Sequence, residues 1–410
     1  MALDYPKIRY VDVIPIETHK GQMIGLRDPI GVAPEMLLIS PDIFYLLRFF
    51  DGNHSKLDLR YKYMQAFGQF LYEEQLSHIL TNLNTNFFLE NENYHNRLAA
   101  IENEFKEQPI RPAFHAGQCY EANPTKLKQQ IDAFFSSPEG AGYPRQNVKK
   151  CPIKGLIAPH IDLRAGGACY SYAYKSLAES DGAECFVILG TGHSGLHNLY
   201  STLAKDFETP FGRARCDFEL IDLLKTNYSG DANSEILAHK SEHTIEFQLV
   251  FLQHLYQEKN DFTFVPILCS FSYHMLNREQ FPQERKIIDD FISALKKTIK
   301  QIGKKVCLIA SVDLSHVGPR YGDREKPDQA FMQRVTKVDQ EILKTIERLD
   351  SVGFHQTIEK QEDRFRVCGY SSIYTLLNVI DAEKGRLLNY SKTEVDAQHS
   401  TVTFASMDFK

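Results

Sequence analysis

The stretch Phe186–Gly195, "FVILGTGHSG", runs a short apolar segment into a glycine-rich turn and places His193 at its tip. A phosphate cradle would need a GxGxxG or GxxxxGKS pattern, and neither is present. Other strand-like segments end the same way. "LIAPH" (156–160) ends in His160, and "LIASVDLSH" (308–316) carries Asp313 and His316 beyond its apolar run. If these strands are neighbours, imidazoles and a carboxylate meet in one cleft, as a metal or acid/base site requires.

The segments between them read as helices: "YSYAYKSLAES" (170–180), "FELIDLLKTN" (218–227), "TIEFQLVFLQHLYQ" (244–257) and "KIIDDFISALKKTIKQI" (286–302). Short buried strands alternating with such helices predict an α/β domain with a largely parallel sheet, covered on both faces, over residues 112–410. Ligands then collect at the carboxyl ends of the strands.

Two further segments carry chemistry. "KSEHTIEFQL" (240–249) puts His243 and Glu246 on the same face if a helix begins near Ser241. "RFRVCGYSSIYTLLNVI" (364–380) sets Cys368 before Gly369 and a helix start, where amino-terminal amides would lower a thiol pKa.

Residues 1–94 predict a small α+β domain. Short strands in "GQMIGLRDPIGVAPEMLLIS" (21–40) precede a helix ended by Asp51-Gly52, then two helical patterns. In the second of these, Leu76, Ile79, Leu80 and Leu83 form one apolar face. "FFLENENY" (87–94) reads as a short β-wing, and the polar stretch 95–111 reads as a connecting helix and linker stopped by Pro109 and Pro112. This order is similar to winged-helix or PqqD-like peptide-binding modules.

The composition excludes several classes. Lys plus Arg is 47 against 53 Asp plus Glu, a net charge of -6, with no basic cluster for nucleic acid. The amino terminus lacks an apolar signal-peptide core, and no apolar run approaches membrane-spanning length. Eight cysteines without a CxxC pair fit reduced thiols in a cytoplasmic protein.

From about Pro112 to Lys410 the sequence resembles the Memo family, whose bacterial members are called AmmeMemoRadiSam system protein B. The resemblance is carried by "FHAGQCY" (114–120), "APHIDLRAGGACYSYAYK" (158–175), "ILGTGHSG" (188–195), "EHTIEFQL" (242–249), "SVDLSHVG" (311–318) and "VCGYSSIYTLLNVI" (367–380). It implies a fold similar to class III extradiol dioxygenases and an iron (Fe2+) or copper site held by His160, His193 and Cys368. Asp313 and His316 match further cleft residues of that family, and His243 matches a motif histidine. The family name implies an association with a radical SAM enzyme, and the amino-terminal domain is expected to hold that partner or a peptide. "APHIDL" departs from the family's commoner "APHAGY", which leaves Asp162 as either an extra ligand or a helix cap.

The expected function is therefore redox or dioxygenase-like chemistry on an unknown small molecule, with His243, His316, Asp313 and Glu246 as acid/base or orienting groups. Two rivals stand beside it. One is a metal-independent hydrolase or transferase using Cys368 as nucleophile. The other is a scaffold that binds a peptide or partner without turnover.

Overall fold

The computed structural model describes residues 3–19, 21–28, 30–145, 151–256 and 262–410. They form two compact units, Met1–Gln108 and Pro109–Lys410.

The first unit opens with an antiparallel meander of β1 (Asp12–Thr18), β2 (Gly21–Arg27) and β3 (Leu37–Ile39). Four helices follow: α1 (Pro41–Leu47), α2 (Lys56–Phe67), α3 (Glu73–Thr85) and α4 (Glu92–Glu107). Ser55 and Asp58 cap α2 reciprocally, and Gly68 ends it in the left-handed conformation. The apolar face of α3 enters the core as its spacing predicts: Leu76, Leu80 and Leu83 are buried, and Ile79 packs against them. Residues 87–94 form no wing. Leu89 makes one isolated bridge to Ile8, and Asn91 then caps α4 through the Tyr94 amide. The connecting helix expected in 95–111 is the body of α4, which runs to Glu107 and buries Ile101 and Phe105.

The second unit comprises β4 (Ile110–Arg111), α5 (Pro124–Ser136), β5 (Gly155–Ala158), α6 (Leu163–Ala178), β6 (Cys185–Thr191), β7 (Tyr200–Thr202), β8 (Asp206–Thr209), β9 (Gly212–Cys216) and α7 (Phe218–Asn227). These are followed by α8 (His243–Tyr256), β10 (Thr263–Cys269), α9 (Pro282–Gln301), β11 (Val306–Ser311), β12 (His316–Val317), α10 (Gln329–Glu347), α11 (Ser351–Lys360), α12 (Tyr370–Val379), β13 (Gly385–Glu394) and β14 (Thr401–Phe409). The strands make one sheet ordered β12-β14-β5-β11-β6-β10-β9-β8-β4, with β13 on β14 and β7 on β10. Its centre, β5-β11-β6-β10, is parallel, whereas β14 joins β5 antiparallel. Every residue of β5 and β6 is buried, which explains why they read as continuous apolar runs and not as alternating ones.

Helices form two layers. α5, α6 and α8 pack together in one group, and α7, α9, α11 and α12 in another, with α8 and α12 each laid on β6. Tyr170 and Tyr174 of α6 stack on Phe251 of α8 with ring centroids 4.8 Å apart, fixing α8 against α6.

A buried ion pair holds the start of this unit. The fully buried Arg111 guanidinium donates to the His239 and Glu242 carbonyls at 3.0 and 2.9 Å and pairs with Glu246. Glu246 also accepts from the Tyr120 hydroxyl and from the amides of Phe114 and His115. Burial is the largest influence and opposes its charge, but Arg111, His115 and Tyr120 together outweigh burial and hold the carboxyl below its ordinary pKa. Arg111→Met should lower stability by about 3–5 kcal/mol in urea unfolding, because it strands Glu246 in the core. Arg111→Met combined with Glu246→Leu should recover much of that loss; equal destabilisation of the single and double variants would contradict this account.

Candidate metal centre

The parallel order β5-β11-β6 makes the three histidine-bearing strand ends neighbours. His160 lies two residues beyond β5, and His193 two beyond β6. His243 is the first residue of α8, whose opening turn reaches the same point because Gly190 lacks a side chain. A Cβ at Gly190 would lie 2.4 Å from Thr244 Oγ1 and 2.9 Å from Ile245 Cδ1. The glycines of the opening stretch thus divide their work: Gly190 admits α8 from within the strand, while Gly195, at φ 75°, turns the chain.

The three imidazoles converge. One ligand atom from each of His160, His193 and His243 lies within 4.8 Å of the other two. Ring centroids are 5.0 Å apart for His160–His193, 5.4 Å for His160–His243 and 5.0 Å for His193–His243. Each Nδ1 already has a partner. That of His160 lies 2.9 Å from the Ser311 carbonyl, which can only accept, so this nitrogen carries the proton and Nε2 carries the lone pair. The Nδ1 atoms of His193 and His243 each lie 3.1 Å from Glu242 Oε1. Such partners fix the tautomer and orientation that metal ligands need.

Glu242, not singled out by the sequence reading, is therefore central. It is 7% exposed and also accepts the backbone N–H groups of His193, His243 and Thr244. Burial alone would raise its pKa, but His193 and His243 outweigh it and hold the carboxyl well below its ordinary value. The available signal was its place beside His243 at a helix amino terminus, where a carboxylate also reads as a simple dipole partner. His115 was likewise passed over; its ring meets that of His243 edge-on at 5.7 Å.

Cys368 stands beside this group, its Sγ 3.3 Å from His160 Nε2. The expectation of a lowered thiol pKa is overturned. Burial, with Asp313 next in weight, pushes it well above its ordinary value, and this outweighs the helix amino terminus. The approach of Gly369 is close: a Cβ there would sit 2.5 Å from Val312 Cβ. The preceding loop is wound tightly, with Glu362, Asp363 and Arg366 all at positive φ. Arg366 clamps it by donating to the His316 carbonyl at 2.9 Å and pairing with Asp323.

The other expected residues fall into place differently. Asp313 is buried, and its Oδ1 accepts the His160 and Ile161 amides at 3.1 and 3.3 Å. Burial pushes it up to about 7. His316 is outside the three-imidazole group; its Nδ1 lies 3.1 Å from the Leu314 carbonyl, its ring meets Tyr321, and burial lowers it to about 4. Glu246 belongs to the Arg111 ion pair, so the acid/base role expected for it is replaced by an anchoring one. Asp162 caps α6 through the Arg164 amide at 2.9 Å and pairs with the Arg164 guanidinium, which decides for the capping alternative.

The model of the family described as Memo-like protein matches residues 111–408. The chain belongs to the Memo family. A MEMO1 family protein of Aquifex aeolicus is 26% identical over 98% of this chain and 99% of its own length. Memo relatives from Methanopyrus kandleri and Methanobrevibacter smithii are 29% and 30% identical over 72% and 73% of this chain, covering 97% and 100% of their own lengths. Among the described residues, no helix is long and apolar enough to cross a membrane.

Glu242→Gln keeps the shape of the side chain and removes the charge behind two imidazoles. It should weaken divalent metal binding about 10- to 100-fold in competition with a chelator and also lower stability by about 1–3 kcal/mol, because the amide nitrogen of Gln cannot accept from the donors that one carboxylate oxygen now serves. Gly190→Ala should both destabilise the chain, by about 1–3 kcal/mol, and reduce metal content, because α8 and His243 must move together.

Proposed function

We propose that this Memo-family chain binds a redox-active metal, iron or copper, in the cleft of His160, His193, His243 and Cys368 and uses it for oxidoreductase or dioxygenase-like chemistry on a small molecule. The observation that carries the reading is the convergence of three imidazoles whose Nδ1 atoms are all occupied, with Glu242 behind two of them. Imidazole donors suit iron and copper, and the adjacent thiol adds a softer donor that becomes a thiolate when a cation offsets burial.

The sequence expectation placed Cys368 in the ligand set and His243 outside it; the geometry favours His243 as the third nitrogen, with Cys368 adjoining His160. When bound, the metal supplies Lewis acidity and one-electron chemistry. The chain's own part is to hold the imidazoles through Ser311 and Glu242, and to tie the ends of β5 and β11 together through Asp313. Burial, with Asp313 next in weight, raises the Cys368 thiol pKa, which supports the metal reading over a metal-free Cys368 nucleophile.

Elemental analysis of protein purified without oxygen should find about one iron or copper per chain, and His193→Ala should lose most of it. Cys368→Ser should retain reduced metal with an altered absorption or resonance spectrum. Metal-free protein that turns over substrates as a cysteine enzyme would overturn the reading.

A further inference from the structure

A cavity of about 380 Å³ lies at the other end of the sheet, where β5, β6 and β11 begin. Along β6 it is separated from His193 by seven residues of strand, roughly 20 Å. Five lysines line it: Lys154, Lys296, Lys300, Lys304 and Lys305. Asp181 and Asp381 are the carboxylates in the lining. This local excess of positive charge sits in a chain whose net charge is -6.

Among the described residues, three of these lysines have no carboxylate partner. Lys304 is paired with Asp217 and Glu219, and Lys296 lies 3.4 Å from the Asn378 carbonyl. No carboxylate among the described residues lies within ion-pair distance of Lys154, Lys300 or Lys305. Like charges gathered on one concavity repel, and a bound anion relieves that repulsion. The floor between them is aliphatic: Ile153, Leu308, Val379 and Ile380 are each 9% exposed or less.

Among the described residues, the lining has no aromatic ring, hydroxyl or side-chain amide. A nucleotide base would have nothing to stack on and no side-chain amide to pair with, whereas an aliphatic chain needs only the apolar floor. We propose that this cavity is a second binding site, separate from the metal centre, for an aliphatic phosphate whose chain lies on Ile153, Leu308 and Ile380 and whose head meets Lys154, Lys300 and Lys305. The volume suits a short chain, being near the lower end of small-molecule pockets.

The test is calorimetric titration of the full chain with octyl phosphate below its micelle concentration. One molecule should bind per chain, at least about tenfold more tightly than inorganic phosphate or octanol, and more weakly as salt rises from ~50 to ~500 mM. Lys300→Glu combined with Lys305→Glu, both at partly or fully exposed positions, should cut the affinity at least about tenfold while leaving the melting temperature and metal content near those of the parent. Ile299→Asp, at the rim, should weaken octyl phosphate but not inorganic phosphate. The proposal fails if octyl phosphate does not saturate near one per chain, if the double charge reversal binds equally well, or if phosphate alone binds as tightly.

Discussion

The buried carboxylate of Glu242 is the constraint on which the cleft depends. A charge taken out of water must be compensated, and here two imidazoles and three backbone N–H groups converge on it. That requirement ties the turn after β6 to the first turn of α8, elements that the chain separates by some fifty residues. It also turns the remaining ring nitrogens of His193 and His243 toward His160. The same atom set therefore does two jobs, fixing α8 against the sheet and orienting donors for a cation.

Support spreads outward from there. Arg111 donates to the Glu242 carbonyl and pairs with Glu246 one turn later on α8, so the opening of the helix is gripped from two sides. On the opposite flank, Asp313 accepts from the amides after β5, and its own carbonyl receives the Gly369 amide at 3.2 Å. The Cys368 loop, with its strained residues, is thereby fastened to the strand end that also positions His160. Strain of this kind persists only where neighbouring contacts over-determine the backbone.

Much of this was legible in the sequence because continuous apolar strands ending in histidine leave few other readings. The α/β order, the buried parallel centre and the placing of His160 and His193 at strand ends all follow from such local patterns. Glu246 was misread because helical spacing tells which residues share a face but not what that face meets; its partner Arg111 lies 135 positions earlier. The direction of the Cys368 shift failed for a related reason, since burial is a tertiary property that a helix start does not disclose. The hairpin β13–β14 escaped notice because its inner residues include Thr403, Ser406 and Asp408. Their buried polar atoms are satisfied by Asp339, Cys169 and Arg386, partners invisible to periodicity.

That hairpin sets the order in which the molecule can be assembled. β14 lies between β12 and β5, with Met407 opposite Ile157 and His316 opposite Val402. During synthesis β5 must wait for a strand made long after it, and until then one edge of the parallel core stays open. An unpaired apolar edge is a site for mispairing between chains, and β14 is the strand that closes this one. The cleft, completed beside that same edge, is among the late features of the fold to form.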